Sequence, residues 1–454
     1  MVKLSKYFKV SYFSTVQLIV LFYGIAVLFS TALLSLPFLH EEGVELSVTD
    51  VIFTAVSAIS VTGLTVVPTA DTFNVWGILA LAFILQFGGI GIMTLGTFIW
   101  VLLGKRIGLR ERQLIQIDQN RTSLEGLVKL MLKILKTILV IEAIGTIILS
   151  TYFLTYFDTW QEAWLQGLFA AVSATTNAGF DITGVSLIPF ANDYFVQTIN
   201  IILLVLGAIG FPVLIEVQDF LKGETKYGRA HYSFSLFTKL TVITFFALIA
   251  VGAILMLILE HQHFLAGMEW HRRIFYSLFQ SVTTRNGGLA TMDVSELSVP
   301  TLIVFCVLMF IGASPSSVGG GIRTTTFAIM VLTIYNFARG RTAVKVFQRE
   351  LDTDDIIRSF IVISTAVSLC ITAIVLLMIT ETLPLLPIAF EVFSAFGTTG
   401  LSMGITADLS TAGKYIIISL MFIGRIGIFS FLFIIRGNVG KDKYHYPKEK
   451  VIIG

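Results

Sequence analysis

Residues 11–39 and 76–103 each run without a single Asp, Glu, Lys or Arg. About 20 apolar residues suffice to cross the hydrocarbon core of a bilayer. A backbone placed there must satisfy its own hydrogen bonds, which makes a helix the natural state of such a run. Only 13% of the 454 residues are charged, against roughly 25% in soluble domains. That is too little charge to cover a soluble surface of this size, so the fold class is an all-α polytopic membrane protein. The basic lead Lys3, Lys6 and Lys9 is followed by a long apolar stretch. This reads as a retained first helix, because a cleavable signal has a shorter apolar core. Cys306 and Cys370 both lie inside apolar runs and read as packing residues.

The basic residues are concentrated at the N-terminus and in segments around 104–136, 221–239, 338–358 and 436–450, with few between. Basic loops stay on the cytoplasmic side. Both termini and the three basic loops are therefore expected to face the cytoplasm. Two crossings per interval make eight transmembrane helices.

Each interval has the same internal order. A long apolar helix is expected at 12–39, 127–156, 238–260 and 356–380, then a half-length helix at 49–60, 162–175, 271–283 and 386–397. A polar, glycine-containing stretch follows, and a second long helix at 73–104, 193–221, 299–338 and 412–435. The repeats divide the chain into 1–104, 105–222, 223–340 and 341–437, with a tail at 438–454. The polar stretches carry Gly63, Gly179, Gly288 and Gly400, spaced 116, 109 and 112 residues apart. A second register, Gly88, Gly207, Gly312 and Gly424, follows at offsets of 25, 28, 24 and 24. Recurrence of both registers marks an internal repeat.

A half-helix ending inside the membrane presents its carbonyl end, and the partial negative charge there favours a cation. Non-helical backbone at that depth is tolerated only where protein or water covers it, and glycine permits its dihedrals. Four such segments around one axis make a ring of neutral carbonyl oxygens that can replace an ion's water shell. The segments are Val61, Thr62 and Gly63; Asn177, Ala178 and Gly179; Asn286, Gly287 and Gly288; Thr398, Thr399 and Gly400. Oxygens without carboxylates suit a monovalent ion better than Ca²⁺ or Mg²⁺. The competing reading is that the glycines only let helices approach closely.

With "VTGL", "NAGF", "GGL" and "TTGLS" in four helix–pore-loop–helix units, nearly the whole chain resembles the Trk/Ktr/HKT superfamily of potassium transporters, and within it the membrane subunit of a bacterial Ktr system. The resemblance implies potassium uptake across a bacterial cytoplasmic membrane. Glycine at all four filter positions goes with K⁺ preference in that family, so K⁺ is expected at Gly63, Gly179, Gly288 and Gly400. Some members are sodium-dependent, which leaves a role for Na⁺ open. It also implies a homodimer with one pore per protomer, regulated by a cytoplasmic ring of nucleotide-binding subunits. The basic loops and the tail are the candidate docking surface for that ring.

In the third repeat the second helix contains Gly312, Ala313, Ser314, Pro315, Ser316, Ser317, Gly319, Gly320 and Gly321. Proline removes a helix hydrogen bond and glycines lower helix propensity. This helix alone is expected to break, and the resemblance makes the loop an intramembrane gate. Arg425 lies in the fourth second helix, where a charge is costly and marks function or a partner. The resemblance makes it part of the gate; a salt bridge to Glu142 or Glu216 is the structural alternative. Arg285, beside the third filter segment, is expected to brace it from behind, and Arg323 to anchor the far end of the broken helix. Glu41, Glu42, Glu45, Asp71, Asp181, Asp193, Asp293 and Asp408 lie in loops poor in basic residues. They make either an ion-concentrating vestibule or ordinary solvated surface.

The alternative function is a cation-coupled secondary transporter, for which Glu142 is the one carboxylate deep in a first helix. No acid–base pair, nucleophile or metal-ligand set points to an enzyme. No motif points to a bound cofactor or to nucleic acid.

Overall fold

The computed structural model describes residues 15–91, 126–223, 233–341 and 343–436, together with positions 94, 96, 112, 447 and 449. Lys3, Lys6 and Lys9, most of the stretch 92–125 and most of the tail 438–454 lie outside these residues.

One element order recurs. The first unit has α1 (Thr15–Leu34), the short α2 (Val48–Ser60) and α3 (Val75–Ile90). The second has α4 (Leu127–Phe153), the short α5 (Trp160–Thr175), then α6 (Tyr194–Ala208) and α7 (Phe211–Lys222). In the third unit α8 (Leu236–Leu259) and the short α9 (Trp270–Thr283) precede α10 (Val299–Phe310) and α11 (Thr324–Ala338). A hairpin of β1 (Lys345–Val346) and β2 (Arg349–Glu350) leads to the fourth unit. That unit contains α12 (Thr353–Thr380), the short α13 (Leu385–Gly397), α14 (Thr411–Ile426) and α15 (Ile428–Arg436). Local chemistry starts two of the short helices: the Ser47 hydroxyl accepts from the Asp50 N–H at 3.1 Å, and Thr159 from the Glu162 N–H at 3.3 Å. Asp50 and Glu162 also place negative charge in the first turn, where the helix dipole favours it.

The second helices depart from expectation. A break is expected only in the third unit, yet α6 and α7 meet at a bend of 103° and α14 ends where α15 begins. Each break falls on a glycine three positions after the second glycine register. Gly210 takes φ 100°, Gly427 φ 84°, and Gly91, where α3 ends, φ 91°. These dihedrals are open to glycine and costly for other residues. Pro315 occupies the same offset in the third unit. By length and composition, α1, α8, α12 and, as a bent pair, α6 with α7 are the described helices long and apolar enough to cross a membrane.

The core consists of junctions between consecutive units. Leu81 and Leu85 pack with Phe169 and Phe180; Phe153 and Leu203 with Phe245 and Phe279; Phe305 and Leu308 with Phe390 and Leu401. The fourth junction returns to the start, with Leu377 and Ile417 against Phe53 and Leu64. The units therefore close into a ring. The perimeter is apolar: Leu28 of α1, Ile258 of α8 and Ile379 of α12 are 71, 65 and 76% exposed. An apolar outer surface around a partly polar centre is the arrangement lipid requires.

In every unit a clasp ties the end of the first helix, or the turn just after it, to the start of the second helix, at the end where the short helices begin. Asn74 donates to the carbonyls of Phe38 and His40 at 2.8 and 3.0 Å. Asp193 accepts from Tyr152 and Tyr156 at 2.8 and 2.5 Å. The Glu260 carboxylate receives the N–H and hydroxyl of Ser298 at 2.9 and 2.6 Å, and Glu381 those of Ser410 at 3.1 and 2.5 Å.

Candidate functional site

The four short helices end in one kind of turn. Val61, Asn177, Asn286 and Thr398 all take left-handed dihedrals, with φ between 51° and 70°. The next N–H reaches back into the helix, Thr62 to the Ser57 carbonyl at 2.8 Å, Ala178 to Ser173 at 2.8 Å and Thr399 to Ser394 at 2.9 Å. These 6→1 bonds are the helix-terminating pattern of a Schellman cap. The third turn is one residue tighter, with Gly287 bonded to Thr283 at 2.7 Å. For β-branched Val61 and Thr398 positive φ is a real strain, held in place by complete burial.

Beyond these caps the four glycines meet. An added Cβ on Gly63 would come within 2.9 Å of Gly179 Cα, one on Gly179 within 2.9 Å of Gly288 Cα, one on Gly288 within 3.4 Å of Gly400 Cα, and one on Gly400 within 3.1 Å of Gly63 Cα. The same test brings each glycine against the carbonyl preceding the next, those of Ala178, Gly287, Thr399 and Thr62 in turn. Their order around the ring is the order of the chain.

Among the described residues, no hydrogen-bond donor serves the carbonyl oxygens of Thr62, Gly63, Ala178, Gly179, Gly287, Gly288, Thr399 or Gly400. A buried carbonyl without a partner is rare and costly, and here they are gathered in one place where four helix C-termini converge. The hydroxyls of the polar stretches do something else: they brace the turns. Ser173 donates to the Phe180 carbonyl at 2.5 Å, Thr283 to Leu289 at 2.6 Å, and Ser394 accepts from the Gly400 N–H at 3.1 Å.

In units one, two and four the second glycine register seats the second helix against a short helix. A Cβ on Gly88 would lie 2.5 Å from the Ile59 carbonyl, and one on Gly207 or Gly424 would strike the carbonyl of Thr175 or Phe396. At these positions close packing, the competing reading of the glycines, accounts for the residue.

Residues 311–323 leave the helix between α10 and α11 and lie against the third and fourth turns. Gly319 faces the Asn286 side chain and Gly320 that of Thr398. The loop is tied to the break in unit two, with Ser314 N–H donating to the Ala208 carbonyl at 3.0 Å and Phe211 N–H to that of Ser316 at 2.9 Å. Ser317 closes it internally by donating to the Ser314 carbonyl at 2.6 Å. Gly312 abuts Gly320, Gly321 lies against Gly312 and Gly397, and the Thr324 N–H donates to Ala313 at 3.4 Å. Arg323 donates to the Gly319 carbonyl.

Arg425 is buried and donates to two backbone carbonyls, Val318 of the loop and Gly88 of α3. Neither acid considered for it is its partner: Glu142 accepts from Gln86 at 2.6 Å, and Glu216 from Ser235 and Thr238. A cavity of about 110 Å³ lies against the loop, lined by Gly91, Phe211, Ser316, Ser317, Arg323 and Arg425 among others. Arg285, 1% exposed, donates to the carbonyls of Ile311, at 2.5 Å, and Leu308. It thus caps α10 where the break frees those oxygens.

Three of the acidic loop residues are structural. Asp181 receives the N–H groups of Thr183, Gly184 and Ser186, while Asp193 and Asp293 cap helices. Burial pushes the Asp193 carboxyl up, but the donors around it win and hold it below its ordinary value; Tyr156, bonded to it, is pushed up to about 12. Glu391 of α13 escaped the sequence reading. It is fully buried and accepts from Ser402 at 2.9 Å and from Thr406, fixing the segment that leaves the fourth turn.

A family model named TrkH and described as "Cation transport protein" matches residues 10–444. The chain is 58% identical over 441 residues, 97% of each chain, to the "Ktr system potassium uptake protein D" of Bacillus subtilis. It is 34% identical over 448 residues, again 97% of each, to the "Potassium/sodium uptake protein NtpJ" of Enterococcus hirae. Among solved structures, the potassium transporter TrkH from Vibrio parahaemolyticus matches with a TM-score of 0.69 at 20% identity, over 93% of this chain and 85% of that one. This last likeness concerns the fold.

Proposed function

The chain belongs to the TrkH family of cation transport proteins, and from that membership we propose that it takes up potassium across the cytoplasmic membrane through the ring of four glycine turns. The observation that carries the reading is the set of carbonyls without hydrogen-bond partners, gathered where Gly63, Gly179, Gly288 and Gly400 meet. A desolvated monovalent cation is the ligand that such oxygens lack. Residues 61–63, 177–179, 286–288 and 398–400 form the filter in this reading, and the repeats bounded at 104, 222, 340 and 437 supply two crossings each, eight in all, with both termini cytoplasmic. Residues 312–321 are the gate. Arg425 holds it shut through the Val318 carbonyl and places a positive charge beneath the filter, where it opposes an incoming cation.

Relatives named as parts of a Ktr system support a division of labour. This chain conducts, a cytoplasmic ring of nucleotide-binding subunits regulates, and two copies of the chain form the membrane dimer. Glu142, the carboxylate on which a coupled mechanism would draw, accepts from Gln86 through one oxygen.

The test is growth of a potassium-uptake-deficient bacterium on limiting K⁺, expressing this chain with and without a Ktr-type ring subunit. Rescue that weakens in Gly400→Ser supports the filter. Rescue indifferent to that change would return the glycines to a packing role. Absence of rescue with the ring present and normal membrane expression would favour secondary transport.

A further inference from the structure

Thr398 caps α13 with φ 51° and belongs to the fourth turn. Its hydroxyl oxygen accepts two hydrogen bonds, from the Gly320 N–H at 2.8 Å and from Asn286 Nδ2 at 3.0 Å. Those bonds use both lone pairs. Asn286 belongs to the third turn, and its two amide hydrogens are shared between that hydroxyl and the carbonyls of Thr398, at 3.2 Å, and Gly397. Gly320 belongs to the loop, and a Cβ there would sit 2.7 Å from the Thr398 side chain. One oxygen atom therefore joins the third turn, the fourth turn and the loop. At the matching position of the first turn Val61 has no polar atom to offer.

We propose that Thr398 is the positioning residue that couples filter to gate: its hydroxyl latches the loop to the filter through Gly320, and movement of the loop starts by breaking that bond. This inference rests on the filter and gate reading above. The Thr398 peptide lies in the filter while its side chain holds the loop. Ion binding and loop position thus act on one residue, and their coupling runs equally in both directions.

The test uses the full chain in liposomes without any ring subunit, reading K⁺ flux, the K⁺/Na⁺ flux ratio and hydrogen exchange of the 312–321 backbone. Thr398→Val keeps the branched shape that already tolerates this φ and removes the acceptor. The expected result is faster exchange in the loop and a basal K⁺ flux raised about 2- to 10-fold, the worth of one hydrogen bond. Thr398→Ser, which restores the hydroxyl, should return both readouts toward the original. If Val disturbs assembly, Thr398→Ala deletes the same acceptor and carries the same expectation. Unchanged flux and exchange in the hydroxyl-free variants would overturn the latch. So would a fall in flux with loop exchange unaltered, which would make Thr398 a filter residue only. Failure of the filter reading itself would look different: Gly400→Ser would then leave the K⁺/Na⁺ ratio untouched.

Discussion

At the scale of single residues, the filter glycines are defined by what lies where a Cβ would be. In Gly179→Ala the new methyl meets Gly288 Cα at 2.9 Å, so the backbone of two turns must move. Ion sites tolerate displacements of only about 0.5 Å, and K⁺ flux in liposomes is expected to fall more than tenfold, the equivalent of about 1.4 kcal/mol. Arg425→Gln removes the tie between the loop and Gly88 together with a charge, so flux without a regulatory partner should rise in the same assay. Arg285→Met leaves the Leu308 and Ile311 carbonyls unpaired. Stability in detergent should drop by roughly 2–3 kcal/mol, the scale of charge-assisted bonds left unmade, read as a lower midpoint of thermal unfolding. Glycines at Gly63 and its three counterparts were legible because a polar, glycine-bearing interruption is conspicuous in so apolar a chain. The carbonyl partners of Arg285 and Arg425 were not, because sequence suggests acidic partners for a buried arginine and says nothing about which carbonyls a broken helix releases.

At the scale of elements, the short helices fall within two residues of where the sequence places them, since polar loops before and glycine-bearing stretches after them interrupt the apolar runs. The end of α3 at Gly91 and the breaks at Gly210 and Gly427 went unseen. Glycine is common in membrane helices that stay straight, and only positive φ marks these three. The clasps at the helix ends were equally hidden, being pairs far apart in sequence. The clasp of unit two carries a pH signature. Asp193 has a depressed pKa, so its contribution to stability is present at neutral pH and lost as pH falls through that lowered value. Tyr156 is raised to about 12, so its contribution is full below the ordinary tyrosine value of 10.0 and is lost as pH rises toward 12. The unfolding midpoint should therefore be level across neutral pH and fall on both sides. Asp193→Asn should weaken the acid limb and the alkaline one together.

At the scale of the whole molecule, the ring has a ligand-dependent stability if its carbonyls hold an ion. Thermal unfolding of the purified protein should shift upward with K⁺ concentration, by about 2.7 kcal/mol at a hundred times the dissociation constant. Choline should be without effect, and Gly400→Ser should abolish the shift. Two glycine registers alone raise the expectation of fourfold repetition, and the described helices recur in a matching order. What sequence could not convey is that each unit's core is shared with the next, because spacing along a chain does not say which faces meet.

Three of the four junctions are bridged by polypeptide, while the fourth, between unit four and unit one, is a seam. There Gly400 meets Gly63, Lys414 of α14 pairs with Asp50 of α2 at 2.7 Å, and Phe53 enters the core of the last unit. Side-chain complementarity achieves at the seam what a connector does elsewhere. The pathway is therefore a property of matching surfaces rather than of chain continuity: it comes into being only when the fourth unit finds the first.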